Sequence, residues 1–294
     1  MPGAIRINDE AAFKALKETP FIAWPTLLLM LTGYVSTLAI WFLCLNGTLQ
    51  LWQGTLLAGL SFYLQFSPAH DSMHRAMSSN ERLNSFLLFV SVQLASPGST
   101  GRAFRILHMQ HHRFANEHVN DPDHALASNW KNAFTTWFFW DLLYLVYFFR
   151  NRQLLPAQAQ RLVWIDIGLN FSALAVLFTL LPADMLLMLW FIPARLSAWL
   201  ICYTFMYLPH YPHGTTHKSN PYRATNIRAG AEWLLSPLLV CQNYHLVHHL
   251  YPTVPFYRYR RVWLARKDFH EAQNPSMVPT FGLAPRPHTA VPTT

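Results

Sequence analysis

Apolar and polar residues alternate along this chain on a scale much longer than one helical turn. Residues 21–46 are apolar almost without a break, with Pro25 near the start. At 1.5 Å per residue such a run reaches across a hydrocarbon core of about 30 Å. An uncharged link, Gly47-Thr48-Leu49-Gln50, leads into a second run, residues 50–69. Two further runs, 162–181 and 185–208, are separated only by Pro182-Ala183-Asp184. The pattern predicts an all-α integral membrane protein with four transmembrane helices in two hairpins.

The stretches between the runs predict the rest. Asp9, Glu10, Lys14, Lys17 and Glu18 make residues 8–19 a short amphipathic segment, expected at the membrane surface. Residues 75–132 form a polar loop carrying Arg75, Arg82, Arg102, Arg105, Arg113 and Lys131. Within it, Phe86–Ala95 is apolar but short, which predicts an interfacial or re-entrant segment. Residues 133–149 are rich in Trp, Phe and Tyr and read as an interfacial helix. A fifth span there is disfavoured by Asp141 and the short length. Residues 70–161 and 209–273 together make a cytoplasmic helical cap. The Pro-rich stretch 274–294 reads as a flexible tail, and the whole chain as a single domain.

Composition strengthens the membrane reading. Hydrophobic residues make up 52% of the chain and charged residues only 12%, against about 25% in soluble domains. The net charge of +8 is concentrated in the long loops, and the two short turns carry no Lys or Arg. The positive-inside rule then places both termini and the long loops in the cytoplasm, with the protein in the inner membrane if the cell is bacterial. No nucleic-acid-binding motif is present. Met1 to Arg6 lacks the basic-then-apolar form of a cleavable signal. Cys44, Cys202 and Cys241 are far apart, which argues against disulfides, zinc ribbons and iron–sulfur sites. Asp166 and Arg195 fall inside the later runs, where an ionisable group is a functional candidate. A position near the cytoplasmic helix ends accounts for them equally well, so neither is given a role.

Histidine spacing supplies the chemistry. In Asn243-Tyr244-His245-Leu246-Val247-His248-His249 the three imidazoles stand at i, i+3 and i+4, one face of a helix. His108, His111 and His112 repeat the same spacing, and His70 and His74 stand at i and i+4. Converging neutral imidazoles suit Fe, Zn, Cu or Ni. A structural zinc site closes at four ligands, and eight histidines suit two ions with four or five nitrogens each. Iron fits such an all-nitrogen site best, with zinc second.

These boxes resemble those of the membrane fatty-acid desaturase–hydroxylase superfamily, across roughly residues 50–265. Asn120-Asp121-Pro122-Asp123-His124 and Tyr207-Leu208-Pro209-His210 resemble motifs of its β-carotene hydroxylases and ketolases. So does His249-Leu250-Tyr251-Pro252-Thr253-Val254-Pro255, with Phe256 in place of a Trp. The resemblance implies non-haem di-iron and O₂ as cofactor and co-substrate. It implies His70, His74, His108, His111, His112, His245, His248 and His249 as metal ligands. His210, at the cytoplasmic end of the last span, is the expected ninth ligand, with His213 in reserve and His217 weaker. Asp71, Asp121, Asp123, Asn243 and His213 are candidates for contacts behind the ligands. His118, His124, His270 and His288 are expected at the surface.

Oxidation of unactivated C–H bonds of a long lipid follows from the resemblance, first as hydroxylation or ketolation of a carotenoid ring. The alternative is a fatty-acyl desaturase or hydroxylase. The chain has no dinucleotide fingerprint, haem motif or Cys cluster. Electrons are therefore expected from a ferredoxin- or cytochrome-type donor drawn to the basic face. A metal transporter is the alternative of another class, disfavoured because transport sites lie near the midplane and these spans have no His before their cytoplasmic ends.

Overall fold

A computed structural model describes residues 7–95 and 99–285; His288 lies outside them. The first helix, α1 (Glu10–Lys17), is capped by the Asp9 carboxylate, which accepts from the Ala12 N–H. α2 (Trp24–Leu45) and α3 (Leu51–Met73) follow as an antiparallel pair. The reversal needs Gly47, whose φ is +77°, a conformation open to glycine at little cost. A reciprocal Gln50–Gln53 capping box then starts α3.

α3 is the axis of the bundle, in contact with α2, with α4 (Glu81–Ala95) and with α9 (Ala183–His210). Every residue from Gln65 to Met73 is buried. The α2–α3 seam is joined by polar groups. The Ser61 hydroxyl donates to the Gly33 carbonyl and the Gln65 amide to the Met30 carbonyl, at 2.8 Å each, and the Thr37 and Ser61 hydroxyls share a bond at 2.9 Å. A side chain at Gly33 would collide with the Gln65 amide. Such interhelical bonds contribute about 0.6 kcal/mol each in a membrane.

α4 runs back along α3, and Tyr34, midway along α2, donates to the Val90 carbonyl at 2.5 Å. α5 (Gly101–Phe114), capped by Thr100, then returns beside α3 and delivers the second histidine box. Phe86–Ala95 is the C-terminal part of α4, which packs along α3.

α6 (Pro122–Ala127) starts on the Asp121 cap. Two 3-10 turns, Trp130–Phe134 and Thr136–Phe139, lead into α7 (Trp140–Asn151). The aromatic stretch is therefore broken rather than one interfacial helix. It is pinned to α9 by the Trp199 ring N–H on the Ala133 carbonyl and the Trp140 ring N–H on the Ala198 carbonyl, both 2.9 Å. Arg195 of α9 makes a bidentate pair with Asp141, 2.6 Å on each arm, and donates to the Phe138 carbonyl at 2.9 Å. Arg195 thus joins two elements.

α8 (Ala157–Leu180) buries Val163, Asp166 and Asn170 and is otherwise largely exposed. Asp166 pairs with Arg102 of α5, and Asn170 donates to the Ser99 carbonyl. α8 packs chiefly on α5 and meets α9 at the connecting turn, so the two do not pack closely along their lengths. Among the described residues α2, α8 and α9 have the length and apolarity of membrane spans. α3 is as long, but Ser61, Gln65 and Ser67 make it more polar.

α9 contains two π-helical turns, Leu187–Phe191 and Cys202–Tyr207. After it come β1 (Asn226–Ala229), α10 (Glu232–Leu238), α11 (His245–Leu250), α12 (Tyr259–Ala265), α13 (Lys267–Ala272) and β2 (Ser276–Pro279). β1 and β2 pair in parallel, Asn226 opposite Ser276. The fold is thus not purely helical, and the expected tail at 274–294 is tethered at its start. Arg228 supports this strand by donating to the Pro279 carbonyl at 3.2 Å.

α1 packs its apolar face on α12, where Phe13 and Leu16 are buried and the Asn8 N–H donates to the Leu264 carbonyl at 3.1 Å. One other expectation is corrected. His270 is fully buried, not at the surface. It stacks on Trp263 at 4.9 Å and lies 3.0 Å from the Tyr251 hydroxyl.

Candidate metal centre

Four elements deliver histidines to one place. The last turn of α3 carries His70 and His74, α5 carries the second box, α9 ends on His210, and α11 carries the third box. The periodicity of each box is helical, so its rings share a face. The bundle then brings the faces together. His70, His74, His108 and His248 offer nitrogens within 4.8 Å of one another. His111, His210 and His249 form a second such group, and His112, His248 and His249 link the two. His245 joins the second group, its Nε2 lying 3.1 Å from that of His210 and 3.1 Å from that of His249. All nine expected histidines are therefore assembled into two adjoining clusters.

The ring nitrogens point to metal binding. His112 Nε2 faces His248 Nε2 at 2.8 Å. His70 Nδ1 and Nε2, His74 Nε2, His108 Nε2, His210 Nδ1 and His249 Nδ1 are buried with no hydrogen-bond partner. Burying such groups unpaired costs about 1–3 kcal/mol each, a cost that cations between the rings would remove for the one nitrogen of each ring that faces the cluster; His210 Nδ1 and His249 Nδ1 lie on the far side of rings that face it through Nε2. Burial, reinforced by neighbouring rings, holds His108, His112, His245, His248 and His249 well below the usual imidazole range. They are neutral, the form that binds metal. His111 differs. Burial opposes its charge, but Asp121 and Asp123 outweigh burial and push it up to about 9. That acidic pair favours positive charge at this end of the site.

The contacts behind the rings depart in part from expectation. Asp121 lies 2.8 Å from His111 Nδ1 and Asp123 at 3.5 Å, with the Tyr144 hydroxyl donating to Asp123. Asp71 instead accepts from the Thr26 hydroxyl at 2.8 Å and the Phe256 N–H at 3.2 Å, tying α3 to α2 and to the loop after the third box. Asn243 accepts from Ser236 at 3.3 Å rather than supporting a ring. The residue holding His245 is Gln242, whose Oε1 lies 2.5 Å from Nδ1. The Tyr259 hydroxyl lies 3.0 Å from His248 Nδ1. Gln242 was not singled out in the sequence; its place three residues before His245 is the signal that could have found it. Tyr259 and Tyr144 carry no local signal.

The remaining histidines lie farther out. His213, left-handed at φ +63°, has its ring 6.3 Å from those of both His210 and His124. His217 has its ring 6.5 Å from that of His249. Neither is in a cluster able to share a metal. His118 is exposed and His124 half-buried.

Toward the spans, aromatic rings cover the first cluster. Phe66 and Phe205 lie 5.9 and 5.6 Å from His70, centroid to centroid, and 4.7 Å from each other. Trp140 packs on Phe66 at 5.8 Å and stacks on Phe104 at 5.2 Å. One side of the histidine assembly therefore faces a dry hydrocarbon surface.

Fatty acid desaturases match residues 46–281 of this sequence, from the end of α2 to just beyond β2. The chain belongs to the fatty acid desaturase family. Curated proteins provide no further match. Membership makes this desaturase-family protein a membrane oxidoreductase acting in a lipid context and implies non-haem di-iron with O₂. The partnerless nitrogens and neutral rings fit that pair of ions.

Proposed function

We propose that the protein is an O₂-dependent di-iron oxygenase of long lipids, with one ion held by His70, His74, His108 and His248 and the other by His111, His210, His245 and His249. His112 stands between them. The observation that carries the proposal is nine histidines assembled under an aromatic roof. Bound iron would supply the reduction of O₂ to an oxidant able to remove hydrogen from an unactivated C–H. Asp121, Gln242 and Tyr259 orient His111, His245 and His248 through the other ring nitrogen. Phe66, Phe205 and Trp140 exclude water and give a hydrocarbon a surface to lie on.

α3 serves as the fourth span in this reading, and the boxes and both termini face the cytoplasm, where a ferredoxin- or cytochrome-type donor supplies electrons. A carotenoid ring is the first choice of substrate, for hydroxylation or ketolation, on the strength of the motifs at Asn120–His124 and Tyr207–His210. A fatty-acyl chain, desaturated or hydroxylated, is the second, and the apolar roof suits both. Family membership sets the transporter aside. The test is expression in β-carotene-producing and ordinary host cells with a ferredoxin donor, profiling pigments and total fatty acids. New oxygenated carotenoids support the first substrate, and altered acyl chains support the second. Unchanged profiles in both hosts, with iron bound, would refute the proposal.

A further inference from the structure

Seven of the nine clustered histidines are buried, and only His108 and His112 are half-buried. Both sit on α5. Arg105, Met109 and Arg113 stand at i, i+4 and i+8 on that helix and form one outer stripe, which His108 and His112 border. Met109 and Arg113 are exposed. Arg75, next to His74, is exposed as well and shares Glu81 with Arg105, at 2.5 and 3.8 Å, so one carboxylate serves two guanidiniums. The His217 N–H donates to the Ala115 carbonyl at 3.0 Å, which sets the exposed Lys218 beside the end of α5. Glu117, past that end, accepts from the Asn120 amide at 3.0 Å, and the surface keeps a positive excess. The histidine assembly thus comes closest to solvent among cations. Basic groups elsewhere are more occupied: Arg258 donates to the Leu16 and Glu18 carbonyls, Arg266 pairs with Glu10, and Lys267 with Glu271.

α5 also points away from the membrane. Ser99 and Arg102, at its start, are joined to Asn170 and Asp166 within the α8 span. The order of these partners makes the two helices antiparallel, so α5 climbs toward the first turn of α8. Arg113 lies about 12 Å beyond Arg105 along the helix axis. The stripe therefore rises from the bilayer instead of lying flat along the headgroups, and cations set along an exposed helix attract an acidic protein.

We infer that the outer stripe of α5, with Arg75 and Lys218 beside it, is the docking surface for the electron donor, a small acidic iron–sulfur protein, and that electrons enter at His108 and His112. The inference rests on the di-iron reading above and adds the place where its electrons arrive. Electron tunnelling falls steeply with distance, so the donor's cluster must approach the histidine edge nearest to solvent. His112 Nε2 lies 2.8 Å from His248 Nε2, and His112 borders both clusters, so an electron arriving there is next to both ions. Each visit oxidises one donor cluster and reduces one ferric ion, and two visits supply the pair that the O₂ reaction consumes. Encounters of this kind bury less than about 1,200 Å², and a few surface cations are enough to steer them.

The experiment uses the full-length protein in phosphatidylcholine nanodiscs, iron-loaded and iron-free, with plant-type ferredoxin as the probe. Association is followed by biolayer interferometry, and electron delivery by anaerobic stopped-flow at the ferredoxin absorbance. Arg75→Glu combined with Arg113→Glu should slow association by about tenfold or more at low salt, equally with and without iron. The difference should close near 1 M salt, where the Debye length is about 3 Å. Arg75→Gln with Arg113→Gln should give a smaller loss in the same direction. Reduction of the loaded variants by dithionite through methyl viologen should match wild type, which separates docking from damage to the centre. Arg260→Glu with Arg261→Glu, on exposed cations of α12, should leave association unchanged. Reversals on α5 that leave ferredoxin association intact, or that instead loosen anionic phospholipid added to the discs, would overturn the inference, as would a larger loss from the α12 pair. A wild type that takes two electrons per chain from viologen but does not bind ferredoxin would also overturn it and leave the di-iron reading standing. A loaded wild type that viologen cannot reduce by two electrons per chain would overturn the di-iron reading itself.

Discussion

Arg195 and Asp141 form a buried ion pair whose loss can be worked through. Both side chains are almost fully enclosed, with 7% and 0% exposure, and the contact is bidentate. Asp141→Asn leaves the guanidinium buried without its counter-charge. Breaking a buried pair from one side costs about 3–5 kcal/mol. Arg195→Met should cost somewhat less, because the Leu142 N–H still donates to the Asp141 carboxylate at 2.9 Å and the acid can take up a proton. Replacing both, Asp141→Leu with Arg195→Met, should recover most of the loss, since a well-packed apolar pair is often no worse than the ions it replaces. The double variant still leaves the Phe138 carbonyl without its Arg195 donor, so about 1–3 kcal/mol should remain lost. At about 2–4 °C per kcal/mol, Asp141→Asn should lower the melting temperature of detergent-solubilised protein by roughly 6–20 °C. Differential scanning fluorimetry of the wild type, both single variants and the double variant measures this directly. A double variant as unstable as the sum of the singles, or an Asp141→Asn shift of under about 2 °C, would show that the pair does not hold the Trp140 segment to α9.

Three shorter predictions concern the centre and its placement. Gln242→Ala should reduce iron retention by about 10–100-fold without changing membrane insertion, read as iron per chain after desalting. His210→Ala should lower iron content and turnover together, whereas His217→Ala should do neither strongly; full iron in His210→Ala would remove it from the ligand set. Reporters fused to the C-terminus should be active only when they function in the cytoplasm, and activity confined to the opposite side would reverse the proposed orientation.

Much of this architecture is local in origin and so was legible in the chain. Long apolar runs make membrane helices whatever surrounds them, and an i, i+3, i+4 repeat puts His245, His248 and His249 on one face wherever that helix goes. Length marked Phe86–Ala95 as a shorter apolar segment than the four long runs. Family motifs singled out His210 and the Asp121–Asp123 pair. Tertiary structure decided which faces meet. Asp71 stands between two box histidines in sequence, yet it serves Thr26 and Phe256, because its turn of α3 faces α2 and the third-box loop. Tyr259 reaches His248, and Arg195 reaches Asp141 across 54 positions of sequence, only because separate helices pack side by side. His270 looked like a surface residue because burial depends on what α1 and α12 place around it, and no spacing encodes that. Periodicity sets the direction of a side chain on its own helix, while its partner is set by the packing of helices far apart in the chain.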